Sequence, residues 1–280
     1  MQFGILYLMM TDLYLYLYSE IFSRFGTVQR ARGCFLYTKK GVRLTDLYQE
    51  GGRAVLGWGG TAFTRFKNVL NRGITGSYIT EFEVQTQKAV AKLLNSPRTV
   101  LFYPSYASAL KAALTVSPNG TAFYKPWNPA ESDFSGQDCV IIAPPLPWTQ
   151  TVYIVAAIPE VVEVALAAGR TVPVSERIPA PLNAAVARAL FDLAAELPRR
   201  SEKDWFLYDN LISAYWERKG PYLFPKVQEE QYKSFVLHCL DCALVISPDY
   251  NTPSIVPFGA DRGVFSKLKQ KPFDTGSSSR

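Results

Sequence analysis

The sequence predicts an α/β fold, and two observations carry that prediction. Short apolar runs bounded by turn residues recur through the middle of the chain, at TVLFY (99–103), CVII (139–142) and TVYIVAAI (151–158). Around them lie segments with apolar residues at helical spacing, such as YITEFEVQTQKAVAKLLN (78–95) and LNAAVARALFDLAAEL (182–197). Strands alternating with helices favour a mostly parallel sheet covered on both faces. Composition agrees: 48% of the 280 residues are hydrophobic and 19% charged, a balance that builds a core and does not leave a disordered chain.

The first segment, MQFGILYLMMTDLYLYLYSEIF (1–22), has the apolarity of a membrane signal. However, Asp12 interrupts it, no cation precedes it and no small-residue cleavage site follows. The Leu/Tyr alternation from Leu13 to Tyr18 predicts a strand or an interface segment. Membrane contact is not expected, although a membrane-peripheral or protein-interaction role through this stretch is one alternative reading.

RGCFLYTKKGVRLTDLYQEGG (32–52) predicts a hairpin, with strands Cys34 to Tyr37 and Val42 to Leu47 about a turn at Lys39-Lys40-Gly41. The glycine-rich LGWGG (56–60) matches neither a dinucleotide fingerprint nor a nucleotide phosphate loop and reads as a turn. The helix over 78–95 carries a capping box, Thr80 with Glu83, and ends at Asn95-Ser96-Pro97. FYPSYASALKAAL (102–114) then outlines a strand, a sharp turn and a helix start, which leaves backbone N–H groups free to hold a phosphate. Tyr106 stands where such a turn usually carries glycine.

After Pro179-Ala180-Pro181 the character changes. Three helices are expected: 182–197, 204–220 closed by Gly220, and 228–248 running into a strand from Leu244 to Ser247. The expected organisation is an N-terminal segment and hairpin (1–55), a reduced α/β large domain (56–180), a C-terminal α+β domain (181–273) and a flexible polar tail (274–280).

Several functions are argued against. The net charge of +6 is spread without a run longer than pairs such as Lys39-Lys40 and Arg199-Arg200, so no nucleic-acid footprint is present. Cys34, Cys139, Cys239 and Cys242 form no disulfide framework, which favours a reducing, cytoplasmic setting. His238 is the only histidine and lies between apolar residues. The Cys239-Cys242 pair has no second pair to complete a metal site, so buried thiols and no metal are expected.

Taken in order, these segments resemble the class III aminotransferases, pyridoxal phosphate (PLP) enzymes of fold type I. GCFLYTKKGVRLTDLYQEGG (33–52) is similar to the family's opening hairpin. FYPSYASALKAAL resembles F-x-N-S-G-(T/A)-E-A-x-E-A-A-(L/I) at the cofactor phosphate; Phe102, Ser105, Ala109, Ala112, Ala113 and Leu114 match. DCVIIAPPLPW (138–148) resembles the strand carrying V-I-x-E-P, with Ala143-Pro144 in place of Glu-Pro. IPAPLNAAVARALFDL (178–193) resembles the helix that opens the small domain, and FVLHCLDCALVISPDY (235–250) the later helix-to-strand passage. The resemblance implies a three-layer αβα central domain, reduced in size, with a C-terminal α+β small domain, and a homodimer. It also implies a phosphate at Ser105 and the N–H groups of Tyr106 and Ala107, with Tyr124 at the aromatic position that stacks on the cofactor ring. The family's following His-Gly is Lys125-Pro126 here.

The family's chemistry needs a lysine amine for the Schiff base and an acid beside the pyridine nitrogen. Here the window from Pro126 to Glu202 contains no lysine; Lys125 and Lys203 bracket it. VYIVAAIPE (152–160) places Ala156-Ala157 where Asp-Glu is expected, with Glu160 a poor substitute. The chain is also short between the Ile141 strand and the Leu182 helix. The sequence therefore points to a degenerate relative without a catalytic residue, acting in ligand binding or structure. On this reading Ser105 serves as a helix cap and Tyr106 fills the vacated pocket. No cofactor is expected, with PLP or another phosphate-bearing ligand left open at Ser105, Tyr106, Ala107 and Tyr124. The competing reading is an active aminotransferase using an unrecognised lysine such as Lys125.

Overall fold

The computed structural model describes residues 13–76, 78–128, 133–149 and 152–275. Residues 1–12 of the apolar N-terminal stretch and 276–280 of the polar tail lie outside the described residues. The chain opens with α1 (Leu13–Phe25), β1 (Val28–Arg32), β2 (Phe35–Thr38) and β3 (Arg43–Asp46). There follow α2 (Gly60–Asn71), α3 (Phe82–Leu94), β4 (Thr99–Tyr103), α4 (Tyr106–Val116) and β5 (Thr121–Phe123). Next come β6 (Cys139–Ile142), β7 (Tyr153–Ala157), α5 (Pro159–Ala167) and α6 (Ala180–Glu196). The last part holds α7 (Glu202–Phe206), α8 (Asp209–Ile212), β8 (Trp216–Lys219), β9 (Tyr222–Pro225), α9 (Glu229–Asp241), β10 (Leu244–Val245), β11 (Ser254–Ile255) and α10 (Ser266–Gln270).

Contacts gather these elements into two compact units, 53–201 and 1–52 with 202–280. The boundary expected near residue 180 is thus not where contacts thin: α6 packs against α2 and α3 inside the first of these units.

The unit 53–201 is a three-layer αβα sandwich whose sheet runs β4-β7-β6-β5. The mostly parallel sheet expected from alternation is corrected to a mixed one. β5 and β6 are parallel, whereas β7 is antiparallel to both its neighbours, β4 and β6. Strand parity assigns side chains to the two faces. Phe102, Tyr124, Val140, Ile142, Ile154 and Ala156 face α3 and α6. Tyr103, Cys139, Ile141, Val155 and Ala157 face α4 and carry the apolar side of α5. Small residues set how close the helices come: α6 buries Ala184, Ala185, Ala187 and Ala189, and α4 buries Ala109, Ala112 and Ala113. A buried hydrogen bond from Thr86 Oγ1 to Asn183 Oδ1 (2.5 Å) joins α3 to α6. The buried Arg98 guanidinium donates to the carbonyls of Gln137 (2.5 Å) and Phe134 (2.9 Å), pinning the approach to β6.

In the unit formed by 1–52 and 202–280, the hairpin β2–β3 forms as expected, with Gly41 at φ 77° in its turn. β1 adds to it antiparallel, and β10 pairs with β3 in parallel, Leu244 opposite Thr45. The strand expected over Leu13 to Tyr18 is a helix. Leu17 and Ile21, one turn apart, are its buried residues, so the helical period wins over the alternation. The helix expected over 204–220 is instead two short helices and then the antiparallel pair β8–β9, with Gly220 at φ 57° turning that hairpin and not ending a helix. Arg218 braces this turn by holding Asp209 through two nitrogens (2.5 and 2.8 Å). Among the described residues no helix is long and apolar enough to cross a membrane.

Candidate functional site

The candidate site lies where β4 hands over to α4. Ser105 keeps an extended backbone (φ −140°, ψ 157°), so the chain turns sharply into the helix. Its Oγ accepts from the Ser108 N–H (3.1 Å), and Ser108 Oγ accepts in return from the Ser105 N–H (3.3 Å), a reciprocal cap built from two serines. That pairing leaves the Tyr106 and Ala107 N–H groups, at the positive end of an 11-residue helix, with no acceptor in the helix ladder. Two adjacent donors on a helix dipole suit one phosphate oxygen face, and backbone donors supply this whatever the side chains are.

Tyr106 does not fill a buried pocket. Its side chain is 46% exposed, and its ring meets Phe123 edge-on at 5.5 Å and Tyr153 at 6.1 Å. Together the three rings form an aromatic ledge beside the turn. Tyr124, the ring expected to share this site, is not brought there. One residue along β5 from Phe123, it points to the opposite face, is buried, and packs at 5.2 Å against Phe134. Burial pushes its phenol pKa well above the ordinary tyrosine value. Phe123 and Tyr153 were missed by sequence reasoning; the signal that could have found Phe123 is the two-residue strand period, which separates it from Tyr124.

The groups that amino-transfer chemistry would need are not gathered at this turn. Ala156 and Ala157 are fully buried in β7. Lys125 follows β5 and begins a turn in which the Asn128 N–H donates to its carbonyl at 3.3 Å. His238 lies on α9, where its Nε2 is 2.8 Å from the Lys271 carbonyl oxygen. All four cysteines are free and buried, and among the described residues no cluster could hold a metal ion. Burial raises the Cys34 and Cys139 thiols to about 11, so they stay protonated and unreactive near neutral pH.

No protein-family model matches the chain. An uncharacterised protein of Treponema pallidum (strain Nichols) is 29% identical over 85% of this chain and 91% of its own length. One of Borreliella burgdorferi is 24% identical over 88% and 90%. Among solved structures, the ornithine aminotransferase of Toxoplasma gondii superposes with a TM-score of 0.64 at 9% identity, covering 87% of this chain and 89% of its own. The PMP-bound aminotransferase of Vibrio fluvialis gives 0.63 at 12%, over 93% and 95%. The ornithine aminotransferase of Plasmodium yoelii gives 0.62 at 10%, over 93% and 97%. The fold is therefore that of the PLP-dependent, fold type I aminotransferases.

This finding corrects one expectation. The sequence argued for no cofactor, because the lysine and acid are missing; the Vibrio fluvialis structure is a PMP-bound form, and the Toxoplasma gondii structure has partial occupancy of PLP at its active site. Covalent attachment is a poor criterion for occupancy, since a phosphate and a flat ring can be held without it. The local fit accords with that: donors for a phosphate at Tyr106 and Ala107, and an aromatic ledge at its side.

Proposed function

We propose that this protein is a homodimeric, cytoplasmic PLP-binding member of the aminotransferase fold that holds its ligand without a Schiff base and does not transfer amino groups. The observation that carries the reading is the capped turn at Ser105, with two N–H donors open, in a chain with no lysine from Pro126 to Glu202. Bound beside a lysine and an acid, PLP supplies an electron sink for amino-group chemistry. In this chain Tyr106 and Ala107 would hold the phosphate, while Phe123, Tyr153 and the Tyr106 ring would limit where the pyridine ring rests.

Treatment of the full-length protein with PLP and then borohydride tests this. The expected result is a visible absorbance that desalting removes, with no mass added after reduction. A pyridoxyl group trapped on any lysine overturns it, and one on Lys125 would establish the active-enzyme reading instead.

A further inference from the structure

A second cleft in the unit 53–201, of about 490 Å³, runs from the Gly57–Ala62 start of α2 along the later half of α6. It is built around a carboxylate. Asp192 accepts from the Thr61 hydroxyl and pairs with Arg188 Nη2 at 2.7 Å, while Arg188 Nε donates to Thr61 Oγ1 at 3.2 Å. Farther along, Glu196 is held by Arg199 (3.1 Å) and Arg200 (3.2 Å). Arg200 is a fixed part of the floor: its side chain is 7% exposed and also donates to the Val55 carbonyl at 2.9 Å. Arg188 is different, with 48% of its side chain exposed and only part of its five donors used.

The lining carries three guanidinium groups and two carboxylates, an excess of one positive charge. α2 opens from Gly59 with no side-chain cap and no acid in its first turn, so its dipole adds to the positive potential where Asp192 sits. The cleft thus already holds two anionic groups, Asp192 and Glu196, both supplied by α6, and Asp192 is the one paired with Arg188 and Thr61. Its volume is in the range of small-molecule sites and far exceeds a carboxylate, and Leu56, Pro145, Pro147 and Ala189 give it an apolar wall.

We propose that this cleft is a second binding site, for a phosphate monoester. The phosphate takes the Arg188 and Thr61 contacts that Asp192 now holds, and the organic part lies on the apolar wall. Phosphate suits the place because guanidinium forks and helix starts both favour it. Asp192 then acts as a competing internal anion that sets how tightly the site binds.

Phenyl phosphate titration of the full-length chain, followed by calorimetry, tests this in a Tyr106→Pro background. That change removes the Tyr106 N–H from the Ser105 turn, and proline suits a first helical position preceded by an extended residue. The Ala107 N–H remains at that turn, so the binding assigned to the cleft is the part that responds to changes at Asp192 or Arg188, neither of which belongs to the Ser105 turn. Asp192→Asn is expected to tighten binding about tenfold and Arg188→Gln to weaken it about tenfold. A structural ion pair alone would give no gain in Asp192→Asn. The absence of saturable binding in Asp192→Asn at about 10 mM overturns the proposal, as does an Arg188→Gln variant within about twofold of its parent. Should Arg188→Gln not fold, the Asp192→Asn titration decides alone.

Discussion

The two faces of the β4-β7-β6-β5 sheet use similar rings for opposite purposes. On the α3–α6 face Tyr124 is 7% exposed and locked against Phe134. On the α4 face Phe123 and Tyr106 are 38% and 46% exposed and touch mainly each other and Tyr153. Only strand parity separates Phe123 from Tyr124. Residue type therefore says little about role here; the face decides whether a ring stabilises the fold or remains available to a ligand.

That contrast can be broken by substitution. Tyr124→Ala removes a buried ring and is expected to cost about 3–5 kcal/mol in urea unfolding. Phe123→Ala should cost less than about 1.5 kcal/mol in the same measurement. Equal losses would mean that the two faces are not distinct in energy.

A pH series sharpens it next. Cys139 lies in the sheet, fully buried, with its thiol raised from 9.0 to about 11 by burial. The folded chain keeps the proton that the unfolded chain loses, so this contribution is intact below pH 9 and declines from there to about pH 11. Cys139→Ala should flatten that decline by up to about 2 kcal/mol at the alkaline end, read from melting curves against the parent.

A smaller effect concerns the ledge. Phe123→Ala and Tyr106→Ala are each expected to weaken PLP binding about five- to tenfold, the worth of one aromatic contact, while Tyr124→Phe leaves it unchanged. Smallest of all, Ser105→Ala should cost about 1 kcal/mol of stability through the lost cap and weaken PLP by less than the ledge variants. Fluorescence titration would rank them.

Much of the scaffold was legible because its signals are local. The β2–β3 hairpin is written in Lys39-Lys40-Gly41, the end of α3 in Asn95, which takes a left-handed φ of 52°, and the start of α4 in Ser105. The direction of β7 was not legible, since an all-apolar strand reads alike both ways and its register is set by β4 and β6. The capping box expected at Thr80 and Glu83 became a side-chain pair, Thr80 Oγ1 donating to Glu83 at 2.7 Å, because the helix starts at Phe82 with Glu81 as its cap, one residue later than a Thr80 cap requires. At the candidate site, Ser105, Tyr106 and Ala107 are readable from the turn, whereas the resemblance that points to Tyr124 carries no information on strand parity, which turns this ring to the opposite face. The cleft at Arg188 and Asp192 was not readable, as it joins Thr61 to residues more than a hundred positions away.

The pairing of β3 with β10 has a consequence for how the protein is made. Asp46 leaves the ribosome about 200 residues before Leu244 and Val245, a delay of roughly 10–40 s at ordinary elongation rates. Throughout that interval residues 53–201 can finish folding, while the early hairpin waits with an unpaired edge. Nascent chains stalled before Leu244 should therefore expose a sticky strand that a holding chaperone would recognise.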